Sequence, residues 1–271
     1  MNLLRNKKIG LIGVGNMGAS ILRGVLKRKI ATPSSVWVYD KIKSKAGHFA
    51  RSYRVRWAAS ARELLQKTDI VIVAVKPQDF PVFAAENSSY VHPGHQVISI
   101  LAGMTTEKIG KMLRGNKNVV RAMPNLGAKA GQSMTAICGK SKKALSLASA
   151  LFSGCGEVVI LPEKRMDLVT AVSGSGPAYF FHLMELLADF GVRQGLSPKT
   201  AQTLAVQTAL GAALVAKHSK ASCGELRQMV TSKKGTTDAA LKALRRGKFK
   251  KTFCRALAAA VARSRELRRN A

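Results

Sequence analysis

The rhythm of apolar and polar positions changes once along this chain. Over residues 1–161, short continuous apolar runs alternate with amphipathic stretches. Residues 8–12, 36–40, 53–57, 70–75, 97–100 and 119–120 read as strands rich in β-branched side chains. Residues 16–28 carry helical periodicity, a Lys-rich helix follows Asp40, and residues 61–66, 80–85, 106–113 and 142–152 fill the remaining gaps with helices. Strands that are apolar on both faces and alternate with helices indicate a parallel sheet covered on both sides.

After the run Val158-Val159-Ile160-Leu161-Pro162 no strand signal remains, and residues 168–190, 198–218, 223–229, 237–244 and 249–267 all read as helices. The stretches 178–187 and 204–216 are apolar around most of their circumference, so other helices or another subunit must enclose them. A segment as short as 162–271 can hardly enclose two such helices alone, which implies an oligomer. His182 lies within the first of them and is expected as a satisfied core histidine. The division is therefore a parallel-sheet domain over 1–161 and an all-helical domain over 162–271.

Composition adds one anomaly. The chain has 271 residues, 46% of them hydrophobic, enough for two modest cores. Its longest apolar runs, such as 256–262, fall far short of the roughly 20 residues that cross a bilayer. The first eight residues show no signal-peptide pattern, so a soluble protein of the cytoplasm is expected. Lys and Arg number 45 against 14 acids, a net charge of +31. Such a field attracts polyanions. Yet 25 basic and 7 acidic side chains lie in 1–161, and 20 and 7 in 162–271. Charge spread this evenly, with only a mild concentration over 242–255, argues against a dedicated nucleic-acid partner. Cys138, Cys155, Cys223 and Cys254 form no CxxC pair and have no His at ligand spacing, so no metal site is expected.

The chemistry concentrates at strand ends. Gly13-Val14-Gly15-Asn16-Met17-Gly18 fits GxGxxG between a strand and a helix, the dinucleotide-binding fingerprint of a Rossmann-type domain. The first glycine permits the turn, the second lets backbone approach a pyrophosphate, and the third lets helix and strand pack closely. Ile12 precedes this loop. Asp40 ends the second strand where an acid meets the ribose hydroxyls of NAD, while Lys41, Lys43 and Lys45 could equally hold the 2′-phosphate of NADP. Ala74-Val75-Lys76-Pro77 leaves Lys76 at the carboxyl edge of the sheet. Ala102 and Gly103 are small residues suited to close approach of a ligand, and Arg121-Ala122-Met123-Pro124-Asn125 ends the sixth strand similarly. In residues 232–237 a polar loop opens a helix, so free N–H groups and the positive dipole end face outward, a device for binding a carboxylate.

Taken in order, Gly13-Val14-Gly15-Asn16-Met17-Gly18, Val75-Lys76-Pro77, Met123-Pro124-Asn125, Ser173-Gly174-Ser175-Gly176-Pro177-Ala178-Tyr179 and Val230-Thr231-Ser232-Lys233-Lys234-Gly235-Thr236-Thr237 resemble the pyrroline-5-carboxylate reductases over essentially the full length. The first two segments are shared with other Rossmann reductases, and the last two are specific. The resemblance implies reduction of 1-pyrroline-5-carboxylate to L-proline, the final step of proline synthesis, with NADPH favoured and NADH as the alternative. It implies that Ile12, the loop 13–18, Asp40, Lys41, residues 74–77, Ala102 and Gly103 bind the cofactor. By the same resemblance, Ser232, Gly235, Thr236 and Thr237 bind the substrate, with Thr237 hydrogen-bonding the ring nitrogen as the catalytic contact. It further implies that the helical domain dimerises, commonly within a decamer built from five dimers. Two departures stand out. The family usually has Pro-Gly where this chain has Lys233-Lys234, and an Asn common near the adenosine end is absent around Ser60-Ala61. A reductase of the β-hydroxyacid dehydrogenase type would need a catalytic Lys within 168–190, which holds none. A non-catalytic binder of cofactor or nucleic acid is the remaining alternative.

Overall fold

The computed structural model describes residues 3–270. They form two compact units: the described residues up to Gly174 together with those from Ala260 on, and Ser175–Ala259.

The first unit is built on a sheet of eight strands: β1 (Ile9–Ile12), β2 (Val36–Tyr39), β3 (Arg56–Trp57), β4 (Ile70–Val73), β5 (Gln96–Ser99), β6 (Val119–Met123), β7 (Ser133–Gly139) and β8 (Gly156–Ile160). They pair in the order β3-β2-β1-β4-β5-β6-β7-β8. All neighbours run parallel except β6 and β7. Ile9 pairs with both Val36 and Ile70, and Ile12 with both Tyr39 and Val73, so β2, β1 and β4 end level. The chain winds outward from β1 to β3 and then restarts at β4 on the other side of β1. That reversal opens a crevice at the carboxyl ends of β1 and β4.

Six helices cover this sheet: α1 (Asn16–Lys27), α2 (Lys43–Tyr53), α3 (Ala61–Lys67), α4 (Phe80–Asn87), α5 (Thr106–Met112) and α6 (Lys142–Phe152). Every residue of β1 and β4 is buried. Ile9, Leu11, Ile70 and Ile72 join Ile21, Leu22 and Leu151 in one core cluster, while Ile12, Val71 and Val73 join Leu64, Leu65 and Phe80 in another. Each aliphatic side chain so enclosed stabilises the fold by about 1.5–3 kcal/mol before entropy is counted, and the alternation along each strand feeds both layers at once.

The strand β7 was not anticipated, and it brings an antiparallel pair into a sheet expected to be parallel. The third strand is shorter than expected because α2 runs on to Tyr53. The single helix expected over 168–190 is instead α7 (Met166–Val169), a π-helical turn Thr170–Gly174, and α8 (Gly176–Arg193). Pro177, in the first turn of α8, has no N–H to continue a preceding helix. The first unit also extends beyond residue 161, where the strands end. Met166 is fully buried there. The Asp167 carboxylate accepts from Ser264 Oγ at 2.9 Å and lies 3.4 Å from Arg268 Nη2.

The second unit comprises α8, α9 (Pro198–His218), α10 (Cys223–Met229), α11 (Thr236–Arg246) and the start of α12 (Phe249–Asn270), whose later turns belong to the first unit. α8 and α9 pack together, with Gly191 meeting Ala201. Their other faces carry Phe180, Phe181, Leu187, Phe190, Leu204 and Leu210 in the open, Phe180 being 62% exposed. For the same reason His182 is not in a core. It is exposed and pairs through Nδ1 with Glu185 Oε2 at 2.9 Å. Among the described residues, no helix is long and apolar enough to cross a membrane.

Candidate active site

In the first unit the site is built where β1 meets α1. The N–H of Gly13 donates to the Tyr39 carbonyl at 2.8 Å, and Gly13 itself stands at φ +96°, which closes the turn. A Cβ at Gly13 would sit 2.7 Å from the Ala74 carbonyl oxygen, and one at Gly18 would overlap the Gly13 carbonyl oxygen. Gly15 differs: its Cβ position has no atom within 4 Å. Gly15 is also the N-cap of α1, with no side chain capping the helix. Two glycines are thus required by packing, whereas the third opens onto solvent beside uncapped amides.

Asp40 follows β2 and braces this loop. Its Oδ2 accepts the Val14 N–H at 2.8 Å and its Oδ1 accepts the Ile42 N–H at 2.9 Å. Lys41 Nζ lies 3.3 Å from Asp79 Oδ2, so the segments after β2 and β4 are linked over the crevice. Lys76 is exposed at the carboxyl end of β4, where Pro77 starts a 3-10 turn. Ala102 is exposed, but Gly103, at φ +77°, is buried with the Leu267 carbonyl oxygen 3.1 Å from its Cβ position. Its smallness accommodates the last turns of α12. Ile12 is buried in the core.

The end of β6 carries a link that sequence reasoning missed. Asn125 Nδ2 donates to the Ser173 carbonyl at 3.2 Å and approaches Ser173 Oγ at 3.3 Å, while its Oδ1 accepts the Gly127 N–H at 3.0 Å. Two separate motifs, Met123-Pro124-Asn125 and the start of Ser173-Gly174-Ser175, are therefore held together at the π-helical turn, an irregularity frequent at functional sites. Beneath them Arg121 is buried, with Nη1 3.9 Å from Glu163 Oε1. Glu163 accepts both the N–H of Thr106 at 2.8 Å and its hydroxyl at 2.7 Å. Cys138, opposite Arg121 in the β6–β7 ladder, has its thiol pushed up to about 12 by burial, which makes it an inert packing residue.

In the second unit, residues 232–237 form the loop that opens α11. The Gly235 N–H donates to the Ser232 carbonyl at 3.0 Å, and a Cβ on Gly235 would overlap Ser232 Oγ. Gly235 is the N-cap and no side chain caps the helix. The amides of Thr236 and Thr237 begin the helix beside the exposed Ser232. Lys233 and Lys234 are also exposed.

Comparison with known proteins supplies the family. Residues 163–267 match the pyrroline-5-carboxylate reductase dimerisation family, and residues 8–103 match the family of coenzyme F420-dependent NADP oxidoreductases. The pyrroline-5-carboxylate reductase of Methanosarcina acetivorans is 36% identical over 267 residues, spanning 97% of this chain and 99% of the relative. The chain belongs to the pyrroline-5-carboxylate reductase family. The Synechocystis member is 37% identical, covering 96% of this chain and 98% of its own. Among solved structures, the pyrroline-5-carboxylate reductase of Coxiella burnetii superposes with a TM-score of 0.89 at 34% identity, over 96% of this chain and 98% of the other. The Plasmodium falciparum pyrroline carboxylate reductase, solved with NADP bound, superposes with a TM-score of 0.86 at 29% identity, over 97% and 98%. The reductase family accounts for the pairing of a Rossmann-type unit with helices that carry open apolar faces. The chain is thus an oxidoreductase of proline synthesis.

Proposed function

We propose that the protein reduces 1-pyrroline-5-carboxylate to L-proline with NADPH, NADH serving as the alternative donor. The observation that carries this reading is a pair of glycine-capped, uncapped-by-side-chain helix starts, Gly15 before α1 and Gly235 before α11. Each offers free amides and a positive dipole end to an anion. The first suits a pyrophosphate, since nothing fills the space over Gly15. The second suits a carboxylate.

Reduced nicotinamide, when bound, supplies a hydride. Ile12, the loop 13–18, residues 74–77, Ala102 and Gly103 would hold the cofactor, with Asp40 keeping the loop shaped and reaching the ribose. Lys41 is the cation for a 2′-phosphate. Ser232, Gly235 and Thr236 would fix the substrate carboxylate, and the Thr237 hydroxyl would meet the ring nitrogen. A protonated imine carbon is already electrophilic, so the demand on these residues is orientation rather than strong acid catalysis, and orientation is worth several kcal/mol. The open faces of α8 and α9 make the homodimer, five such dimers making a decamer, in the cytoplasm.

The test is proline formation from pyrroline-5-carboxylate by the purified protein with each reduced cofactor. Absence of turnover with both, in a folded protein, would overturn the reading.

A further inference from the structure

The loop before α11 departs from its family at Lys233-Lys234, and the structure shows what takes the place of the usual Pro-Gly pair. Lys234 stands at φ +62°, the left-handed region that glycine enters freely and other residues resist. Its N–H donates to Asp238 Oδ2 at 3.2 Å. The same carboxylate oxygen receives Lys242 Nζ at 2.7 Å. Asp238 is the third residue of α11, so its carboxylate reaches back past the Gly235 N-cap to the loop. The Asp238 side chain is 17% exposed, while both hydrogen bonds of its carboxylate lie at the surface.

We infer that Asp238 is a positioning residue: by holding the Lys234 amide it keeps residues 232–237 in the conformation that receives the substrate carboxylate. The inference rests on the proposed substrate site. Its physical basis is a matter of coupled constraints. Ser232 Oγ sits against Gly235, so its direction depends on the backbone between them. Without a proline to fix φ at 233 or a glycine to relax 234, an unbraced backbone would leave the left-handed state and carry the hydroxyl with it. A carboxylate near an incoming carboxylate would by itself repel it. Lys242 offsets that charge, and its hydrogen bond is the main cause that holds the Asp238 carboxyl below its usual range. The Lys242 contact thus favours the ionised form of the brace.

The test is steady-state kinetics on the full chain with pyrroline-5-carboxylate and NADPH, using Asp238→Ala and Asp238→Asn in the natural and the Lys234→Gly backgrounds. In the natural background Asp238→Ala should raise the KM for pyrroline-5-carboxylate by about three- to tenfold, the effect of one partly exposed charge-assisted hydrogen bond. The kcat and the KM for NADPH should move by less than about twofold. Asp238→Asn, which keeps an acceptor oxygen, should recover part of the loss, and it carries the comparison if Asp238→Ala does not fold. With Lys234→Gly, where glycine adopts the left-handed state unaided, either substitution should lose most of its effect. Equal KM changes in both backgrounds, no change, or parallel changes in all constants would each overturn the inference. Ser232→Ala separates the two levels. If it raises the KM for pyrroline-5-carboxylate while Asp238→Ala does not, only the brace is wrong; if neither does, the substrate site itself is misplaced.

Discussion

A methyl group on Gly15 should separate folding from cofactor binding. The Cβ of Gly15→Ala enters open space, and the backbone there has φ −76°, which any residue adopts. Stability should fall by about 1 kcal/mol at most, since Gly15 is the N-cap of α1 and alanine caps less well than glycine. The same space is where a pyrophosphate would rest on the α1 amides. Losing roughly two charge-assisted hydrogen bonds there removes about 3 kcal/mol, which raises the cofactor Kd by about 100-fold. Gly13→Ala is the contrast: it combines a φ of +96° with a Cβ 2.7 Å from the Ala74 carbonyl oxygen. A left-handed alanine alone costs about 1–2 kcal/mol, and the overlap adds to it. At about 2–4 °C per kcal/mol for a chain of this size, its melting temperature should fall by about 5 °C or more. Thermal melting and NADPH titration of both variants read the two effects separately. An unchanged Kd in folded Gly15→Ala, and again in the bulkier Gly15→Val, would refute the placement of the pyrophosphate.

Other perturbations have equally definite signs. Lys41→Ala should raise the KM for NADPH and leave that for NADH nearly unchanged, and Asp79→Asn, which releases Lys41 from its 3.3 Å ion pair, should lower the NADPH value; a wild-type enzyme that strongly prefers NADH would contradict the assignment. His95 is buried, its Nδ1 accepting the His92 N–H and its Nε2 facing the Leu65 and Thr68 carbonyls, and burial, then His92, lowers its pKa from 6.5. The unfolded chain then takes up more protons than the folded one below that value. Stability should be fully present above about pH 6.5 and be lost as pH falls, with a flatter melting-temperature profile in His95→Gln. Glu163→Ala would strand the buried Arg121 guanidinium and should cost about 3 kcal/mol in chemical denaturation, whereas a loss near zero would mean that the pair is idle. Leu187→Glu, on the open face of α8, should yield monomers by light scattering, and an intact oligomer would place the interface elsewhere.

Much of this molecule is legible in its apolar rhythm, and the exceptions have physical causes. β1 and β4 are fully buried, so they stand out as unbroken aliphatic runs. β7 hides because its residues, Ser133 to Gly139, include Ser, Thr, Cys and Gly; the buried Ser133 and Thr135 hydroxyls meet each other at 3.2 Å. The π-helical turn leaves no periodic trace, since one extra residue in a helix shifts the pattern without erasing it. At the site, residue types mark the glycine loop clearly, but not the different duties of its glycines. Gly13 and Gly18 answer to neighbouring backbone, Gly15 to open space, and Gly103 to the arrival of α12. Met123-Pro124-Asn125 is legible as a motif, but the bond from Asn125 to Ser173 is not, and Asp238 goes unnoticed, because such roles depend on partners like Ser173 and the Lys234 amide that an isolated polar residue does not announce.

The return of α12 has a bearing on how the chain is made. Asp167 belongs to the nucleotide-binding unit, yet the hydroxyl and guanidinium that answer its buried carboxylate come from Ser264 and Arg268. Gly103 likewise waits for Leu267. A ribosome delivers the whole sheet first and then the helices from 176 to 259, which form a long excursion between two parts of one unit. Through that interval Asp167 and Gly103 lack the partners that Ser264, Arg268 and Leu267 supply. The nucleotide-binding unit, begun first, therefore gains these partners only after residues 175–259 of the other unit have been made.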